Sequence, residues 1–222
     1  MMLYTVLAVA GTVFTGYLLG SISFGIIFTR LYTKTDVRDM GSGNTGMTNV
    51  LRTVGTLPGL LTGLGDFAKG IASMLIGQWL FTLVGLDSYS GKCLAAVFVL
   101  LGHLFPIFFQ FRGGKGVMTS AGIVFMLDPY MLGIGMLIFG IAFIITRIVS
   151  LSALAAATFL PGINLILAFI NDTEKIFSTI FITMITVLFY ITLRDNIKRM
   201  KKGEEAKLRI KKPQNEAEPD NS

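Results

Sequence analysis

The chain has 222 residues, 53% hydrophobic and 14% charged, with a formal net charge of +6 at pH 7. Soluble domains carry about 25% charged residues, whereas the mean hydropathy here is +0.70. Because the apolar residues are also gathered into long runs, the composition excludes a soluble protein and predicts an all-α integral membrane protein.

In chain order, the apolar runs predict a seven-span helical bundle that forms one domain, residues 1–199. The predicted spans are Leu3–Phe28, Leu57–Val84, Cys93–Phe109, Val117–Leu127, Tyr130–Thr146, Leu151–Ile170 and Ile176–Leu193. The fourth run has 11 residues, fewer than the roughly 20 that a membrane-crossing helix needs. Residues 200–222 are charged, and we expect a disordered cytoplasmic tail there.

Basic residues predict the orientation of the bundle. The segments 28–56, 110–116, 147–150 and 194–222 carry 4, 2, 1 and 9 of the 19 Lys and Arg residues. Positively charged loops remain in the cytoplasm, so the N-terminus is predicted outside and the C-terminus inside. The charge therefore indicates topology and contact with membrane lipids in the cell (plasma) membrane, and we expect no nucleic-acid partner.

The first cytoplasmic loop contains a glycine-rich stretch, Met40–Arg52, with the sequence MGSGNTGMTNVLR. Its Gly-x-Gly-x-x-Gly spacing matches a dinucleotide fingerprint, but that fingerprint follows a β-strand and here an apolar span precedes it. Two interpretations remain. One is a flexible loop with a helix cap at Thr48 or Asn49. The other is an anion site in which glycine N–H groups form a nest and Ser42 and Arg52 add donors.

The second cytoplasmic loop contains Gly113-Gly114-Lys115-Gly116. This is not a Walker A loop, because Phe109 stands where its first glycine belongs and Gly116 stands where Ser or Thr should follow the lysine. It is either a tight loop with a lysine that sets topology, or a lysine presented to an anion at the start of a helix. Two such loops on one face suggest a phosphate site.

Two charged residues and one histidine lie inside the predicted spans. Asp66 and Lys69 are three positions apart on one helix face, so we expect them to pair with each other. His103 is either a hydrogen-bonded structural residue or a substrate contact. The single cysteine, Cys93, and the single histidine argue against a metal site, and we expect no metal and no cofactor. The segment Arg194–Arg199 has the composition of an interfacial anchor.

Together these stretches resemble the bacterial membrane acyl-phosphate:glycerol-3-phosphate acyltransferases, the PlsY type. The similarity runs through four segments: GSISFG at 20–25, GSGNTGMTNVLR at 41–52, GHLFPIFFQFRGGKGVMTS at 102–120 and RDNIKR at 194–199. The resemblance implies a seven-span bundle with a cytoplasmic active site. It also implies transfer of a fatty acyl group from acyl phosphate to the 1-hydroxyl of glycerol 3-phosphate, which is the first acylation of phospholipid synthesis.

The resemblance also implies roles for individual residues. Ser42 and Asn196 match family positions that we take as candidate catalytic residues. The candidate substrate-binding residues are Gly41, Gly43, Asn44, Asn49, Arg52, His103, Gly114, Lys115 and Ser150. The expected partners are acyl phosphate, glycerol 3-phosphate, membrane lipids and the enzyme that makes acyl phosphate.

One departure from the family pattern keeps two alternatives open. Leu193 stands where the third family motif, His-Arg-x-Asn, has its histidine. The chain is therefore also compatible with a divergent, non-catalytic paralogue that binds a lipid phosphate or a partner enzyme. A transporter of a phosphorylated metabolite is the second alternative, but it should show inverted repeats and a site at the membrane midplane, and the sequence indicates neither.

Overall fold

The computed structural model describes residues 2–171 and 175–208, and all regular secondary structure within them is helical. The predicted all-α class is thereby confirmed. The α-helices are α1 (Met2–Ser21), α2 (Phe24–Thr33), α3 (Met47–Thr53), α4 (Thr56–Leu83), α5 (Ser88–Leu104), α6 (Val117–Leu127), α7 (Pro129–Thr146), α8 (Val149–Asn171), α9 (Lys175–Thr192) and α10 (Arg194–Lys201). Two short 3-10 turns, Val37–Asp39 and Ile107–Phe109, lie in the loops.

Helix length supports fewer crossings than the seven that the sequence predicts. Five described segments are long and apolar enough to cross a bilayer, and a sixth arises if α9 and α10, bent by 60°, count as one span. The remaining predicted crossing is α6, whose 11 residues span about 16 Å, well short of the roughly 30 Å of a hydrocarbon core. Of the predicted tail, residues 209–222 lie outside the described residues.

The first predicted span is broken near its end, between α1 and α2. At this break the Lys69 ammonium donates hydrogen bonds to the carbonyl oxygens of Gly20, at 2.9 Å, and Ile22, at 2.7 Å. The last carbonyls of a helix lack partners within the helix, and a buried unpaired carbonyl is costly. Lys69 therefore stabilises the break. The expected pair is confirmed as well, since Lys69 Nζ lies 2.9 Å from Asp66 Oδ1.

Close glycine contacts hold α1, α4, α5 and α6 together. A Cβ on Gly20 would lie 2.2 Å from the Val99 carbonyl oxygen, and one on Gly102 would lie 2.2 Å from that of Tyr17, so α1 and α5 touch backbone to backbone. Small residues allow this approach between membrane helices.

The second half of the bundle consists of α7, α8 and α9, which pack side by side. A core that includes Met74, Ile123, Met131 and Ile182 joins the two halves.

This arrangement places both glycine-rich loops at one end of the bundle. The turn between α7 and α8 and the bend between α9 and α10 lie at the same end, because Asn196 contacts Lys115 of the second loop and Ser150 contacts Glu205, just after α10. The four segments that carry the predicted site residues are therefore neighbours in space although they are distant in the chain.

Candidate active site

The first glycine-rich loop is shaped by Asn49, which is 4% exposed. Its side-chain amide donates to the carbonyl oxygens of Met40 and Asn44, each at 2.9 Å, and of Val37 at 3.3 Å. Its oxygen accepts from the Ser42 N–H at 3.0 Å. Four hydrogen bonds from one buried amide fix the course of the loop, so the structural contribution of Asn49 is to hold the loop in shape.

The backbone N–H groups of the first loop donate to acceptors within the loop, whereas an anion nest requires them to point outward. Besides the Ser42 N–H, the Gly43 N–H donates to the Met40 carbonyl at 3.0 Å, and the Gly46 N–H donates to Asn44 Oδ1 at 2.9 Å. These three donors point into the loop. Gly41 and Gly43 have φ values of +56° and +70°, which glycine adopts without strain. Ser42 is exposed at the surface of this loop.

The second glycine-rich loop packs against His103, at the end of α5. The Gly114 N–H donates to the His103 carbonyl oxygen at 3.1 Å. A Cβ on Gly114 would lie only 2.3 Å from His103 Nε2. Gly116 follows with a φ of +81° and is the N-cap of α6. The loop therefore presents Lys115 from a tightly packed position at the start of a helix.

His103 is itself held by buried polar groups and is 6% exposed. Its Nδ1 lies 3.2 Å from Thr119 Oγ1 and 3.5 Å from Asp66 Oδ1. The pair of Asp66 and Lys69 thus continues into His103 and from there to the loop that carries Lys115. The sequence predicts the pair but not this extension. The candidate role of His103 in binding substrate stays a prediction, and the contacts show a residue that supports the second loop.

Lys115, Ser150 and Asn196 converge at one place. The Lys115 ammonium donates to Asn196 Oδ1. Asn196 Nδ2 and Ser150 Oγ both donate to Glu205 Oε1, at 2.5 and 2.8 Å. Arg199 Nε donates to the other carboxylate oxygen, Oε2, at 2.8 Å. We call Arg52, Lys115, Ser150, Asn196 and Arg199 the anion cluster.

Arg52 joins the anion cluster from the first loop. Its Nη2 donates to the carbonyl oxygen of Ala206 at 2.7 Å. Burial lowers the pKa of Arg52 and also that of Lys115, and the nearby positive charge of Arg199 lowers the pKa of Lys115 further. Grouped and partly buried cations of this kind are stabilised by an anion. The cluster is thus suited to bind a phosphate group.

The anion cluster includes one residue that the sequence prediction missed, Arg199. It lies three positions after Asn196, on the same face of α10, and this spacing is the signal that could have identified it. Glu205 was also missed, and nothing in its local sequence indicates its position. Within residues 2–171 and 175–208, no three His, Cys, Asp or Glu side chains are grouped as metal ligands would be.

Leu193, which replaces the family histidine, lies in the core rather than in the cluster. It is 2% exposed and packs in the same hydrophobic cluster as Phe189. Its carbonyl oxygen accepts the Ile197 N–H at 2.9 Å, at the start of α10. The substitution therefore leaves the hydrogen bonds of Asn196 in place.

The chain is similar to known proteins over most of its length. The model of the family described as glycerol-3-phosphate acyltransferase matches residues 10–203. A glycerol-3-phosphate acyltransferase of Methylobacillus flagellatus is 40% identical over 194 residues, covering 87% of this chain and 94% of that protein. One from Syntrophomonas wolfei is 40% identical over 193 residues, covering 86% and 93%.

Two crystal structures are similar in fold, both of PlsY (YgiH), an integral membrane glycerol 3-phosphate acyltransferase. Its glycerol 3-phosphate form has a TM-score of 0.77 and 33% identity, covering 90% of this chain and 96% of that chain. Its lysophosphatidic acid form has a TM-score of 0.75 and 33% identity, covering 91% and 96%. The matched regions span both glycine-rich loops and the bend before α10, and the chain belongs to the glycerol-3-phosphate acyltransferase family.

Proposed function

We propose that this chain transfers a fatty acyl group from acyl phosphate to the 1-hydroxyl of glycerol 3-phosphate, giving lysophosphatidate and phosphate. The observation that carries the proposal is the anion cluster, which brings cations and neutral donors from four distant segments together. Ser150, Asn196 and Arg199 bind the Glu205 carboxylate. Lys115 binds Asn196, and Arg52 binds the Ala206 carbonyl oxygen. The names of the relatives and the two ligand forms of the similar crystal structure support glycerol 3-phosphate as the acceptor.

The reaction needs positioning and charge stabilisation more than strong acid or base chemistry. The oxygen of the 1-hydroxyl forms an ester bond with the acyl carbon, and the bond from that carbon to the phosphate oxygen breaks. The hydroxyl proton leaves with the released phosphate. Because acyl phosphate is already activated, the protein has to align two phosphate-bearing substrates and stabilise negative charge.

The residues of the cluster divide this work. Arg52, Lys115 and Arg199 supply positive charge, and Ser150 and Asn196 supply neutral donors to phosphate oxygens. In our proposal Asn196, which accepts a hydrogen bond from Lys115, also contacts glycerol 3-phosphate close to its reacting 1-hydroxyl. Ser42 completes the site from the exposed surface of the first loop. The glycines at 41, 43 and 114 keep the backbone of both loops compact, next to Asn44 and Asn49.

We also propose the membrane arrangement. The chain crosses the plasma membrane seven times, with the N-terminus outside and the active site and C-terminus facing the cytoplasm. In this arrangement α6 is a short crossing that packs between α4 and α7, which can shield its ends from lipid. Residues 1–199 form the catalytic domain, and the enzyme that makes acyl phosphate is a proposed partner.

Labelling of cysteines introduced at Met2 and Glu204 in intact cells tests the orientation. Only the cysteine at position 2 should react with a reagent that does not cross the membrane.

The activity is tested with purified protein in detergent, palmitoyl phosphate and glycerol 3-phosphate. We expect phosphate release that requires glycerol 3-phosphate. Lys115→Ala should lower it by about 100-fold, as the loss of a charge-stabilising group does. Arg112→Ala is the matched control, because Arg112 is an exposed cation in the same loop and should leave the rate unchanged. Release that is independent of glycerol 3-phosphate, or equal loss in both variants, would contradict the assignment.

A further inference from the structure

The segment that follows α10 lies across the anion cluster. We call Gly203–Leu208 the inner tail. Its Glu205 carboxylate accepts the hydrogen bonds from Ser150, Asn196 and Arg199. The Glu205 side chain is 7% exposed, although Arg199 beside it is 40% exposed. A carboxylate in a charged chain terminus is thus buried among the groups that we assign to phosphate.

A defined turn brings the inner tail back to this position. Gly203 has a φ of +73°, its N–H donates to the Met200 carbonyl at 3.0 Å, and the Glu204 N–H donates to the Arg199 carbonyl at 2.8 Å. These two bonds form a Schellman motif, a common way to end a helix and reverse the chain. The sequence of α10 and its glycine therefore direct Glu205 onto the same helix that carries Asn196.

Two backbone contacts extend the inner tail beyond Glu205. Arg52 donates to the Ala206 carbonyl oxygen at 2.7 Å, and the Leu208 N–H donates to the Arg147 carbonyl oxygen at 2.8 Å. The inner tail is therefore attached to the first loop, to the turn before α8 and to α10. The family match ends at residue 203, so Glu205 lies just beyond the matched residues.

The charge state of Glu205 suits this contact. Burial raises the pKa of its carboxyl, but hydrogen bonds from Asn196, Ser150 and Arg199 and the charge of Arg199 outweigh burial, so the net shift is downward. Glu205 is therefore an anion at neutral pH. A phosphate group carries up to two negative charges and three acceptor oxygens, so it can take over each of these hydrogen bonds.

We propose that the inner tail is an internal competitor of substrate: the Glu205 carboxylate occupies the phosphate position of the anion cluster and has to leave before a substrate phosphate binds. The proposal rests on the proposed function, because it takes the cluster as the phosphate site. The apparent affinity for substrate is reduced in proportion to the fraction of molecules in which the tail is released. The tail therefore sets the substrate concentration at which the enzyme becomes active.

The test compares the full-length chain with Glu205→Gln and with Glu204→Gln as matched control. Glu204 is the exposed neighbour in the same segment, so both variants lose one negative charge. We expect Glu205→Gln to lower KM for one substrate by about fivefold, as a tail that is bound in four molecules of five requires. KM measured separately for glycerol 3-phosphate and palmitoyl phosphate identifies which phosphate the tail displaces. Glu204→Gln should leave both values unchanged.

A second variant and a second measurement make the result independent of charge and of turnover. Gly203→Ala disfavours the left-handed residue of the turn and should lower the same KM. Binding of inorganic phosphate, measured by calorimetry, should tighten by a similar factor in Glu205→Gln. An active wild-type enzyme with unchanged KM and unchanged phosphate binding in both tail variants overturns the proposal. Absence of acyl transfer in the wild type and all variants instead overturns the proposed function, and this proposal with it.

Discussion

Lys115 donates a hydrogen bond to Asn196 Oδ1 and so joins two residues that are 81 positions apart in the chain. Lys115 comes from the loop before α6, whereas Asn196 comes from α10, which is bent by 60° from α9. The bond therefore depends on how the two halves of the bundle meet. Helix packing far from the surface thus sets the geometry of the anion cluster.

The pH dependence of Lys115 is the first prediction. Burial holds the pKa of its amine below the ordinary lysine value of 10.5, so the ammonium loses its proton at a lower pH than an exposed lysine does. We expect kcat/KM for glycerol 3-phosphate, which reports groups of the free enzyme, to fall at alkaline pH. Lys115→Arg keeps its charge there and should move the fall to higher pH. The rate of spontaneous hydrolysis, measured without enzyme, is subtracted at each pH. Superimposable pH profiles of the wild type and Lys115→Arg would contradict the role of Lys115.

Gly114→Ala tests the contact between the second loop and His103. The added Cβ would lie 2.3 Å from His103 Nε2, and His103 cannot easily move because Thr119 and Asp66 hold its Nδ1. We expect the loop to shift, at a cost of about 1–3 kcal/mol in stability, and kcat/KM to fall by about 100-fold because Lys115 is misplaced.

The control for this variant is Gly133→Ala, on α7, where an added Cβ meets no atom within 4 Å. It should retain wild-type activity and thermal stability. If Gly114→Ala also behaved as wild type, the packing of the loop against His103 would be unimportant for catalysis.

Four of the five residues of the anion cluster could be predicted from the sequence. Arg52 and Lys115 lie in the two glycine-rich loops, whereas Ser150 and Asn196 follow only from the family resemblance. The structure brings the segments that carry them together. Arg199 was interpreted as a membrane anchor, since a basic residue after an apolar span is common in that role. Glu205 could not be predicted, because no local pattern links one acidic residue of a charged terminus to Ser150, 55 positions earlier.

The fold could likewise be predicted where it depends on residues close in the chain, and not where it depends on residues far apart. Periodicity and hydropathy identify the apolar helices and the pairing of Asp66 with Lys69. The break after α1 escaped the sequence prediction, because the apolar run continues through it and the residue that stabilises it, Lys69, lies 47 positions beyond Ile22. The crossing count differs because α6 is apolar but short, and hydropathy does not report how neighbouring helices shield a short segment.

Lys69→Met tests how the break after α1 is stabilised. The variant removes the donor to Gly20 and Ile22 and leaves the Asp66 carboxylate buried without its cation. Breaking a buried ion pair from one side costs about 3–5 kcal/mol, and we expect a corresponding loss of thermal stability in detergent. The double variant Asp66→Asn/Lys69→Met should be more stable than Lys69→Met alone, because no charge stays buried.

Lys201→Met is the control for this experiment, since Lys201 is an exposed lysine on α10. It should change the melting temperature little. A double variant that is less stable than Lys69→Met would show that Asp66 does not depend on Lys69 for its charge.

Asp36→Asn tests the attachment of the two loops to each other. Arg38 Nη1 donates to the Phe109 carbonyl at 2.9 Å, and the Asp36 carboxylate orients Arg38 through its Nε and Nη2. The hydrogen bond from the Arg38 side chain lowers the Asp36 pKa from 3.8 to about 2, so the carboxylate stabilises the fold fully above pH 4 and loses this contribution as the pH falls through 2. We expect Asp36→Asn to lose about 1–2 kcal/mol of unfolding free energy at pH 7, measured by thermal unfolding, and the difference from wild type to shrink as the pH falls below 4.

Asp39→Asn is the control, because Asp39 is an exposed carboxylate of the same turn and its loss should change stability little at any pH. A deficit of Asp36→Asn that stayed constant from pH 7 to pH 2 would show that its charge does not hold Arg38 against the second loop.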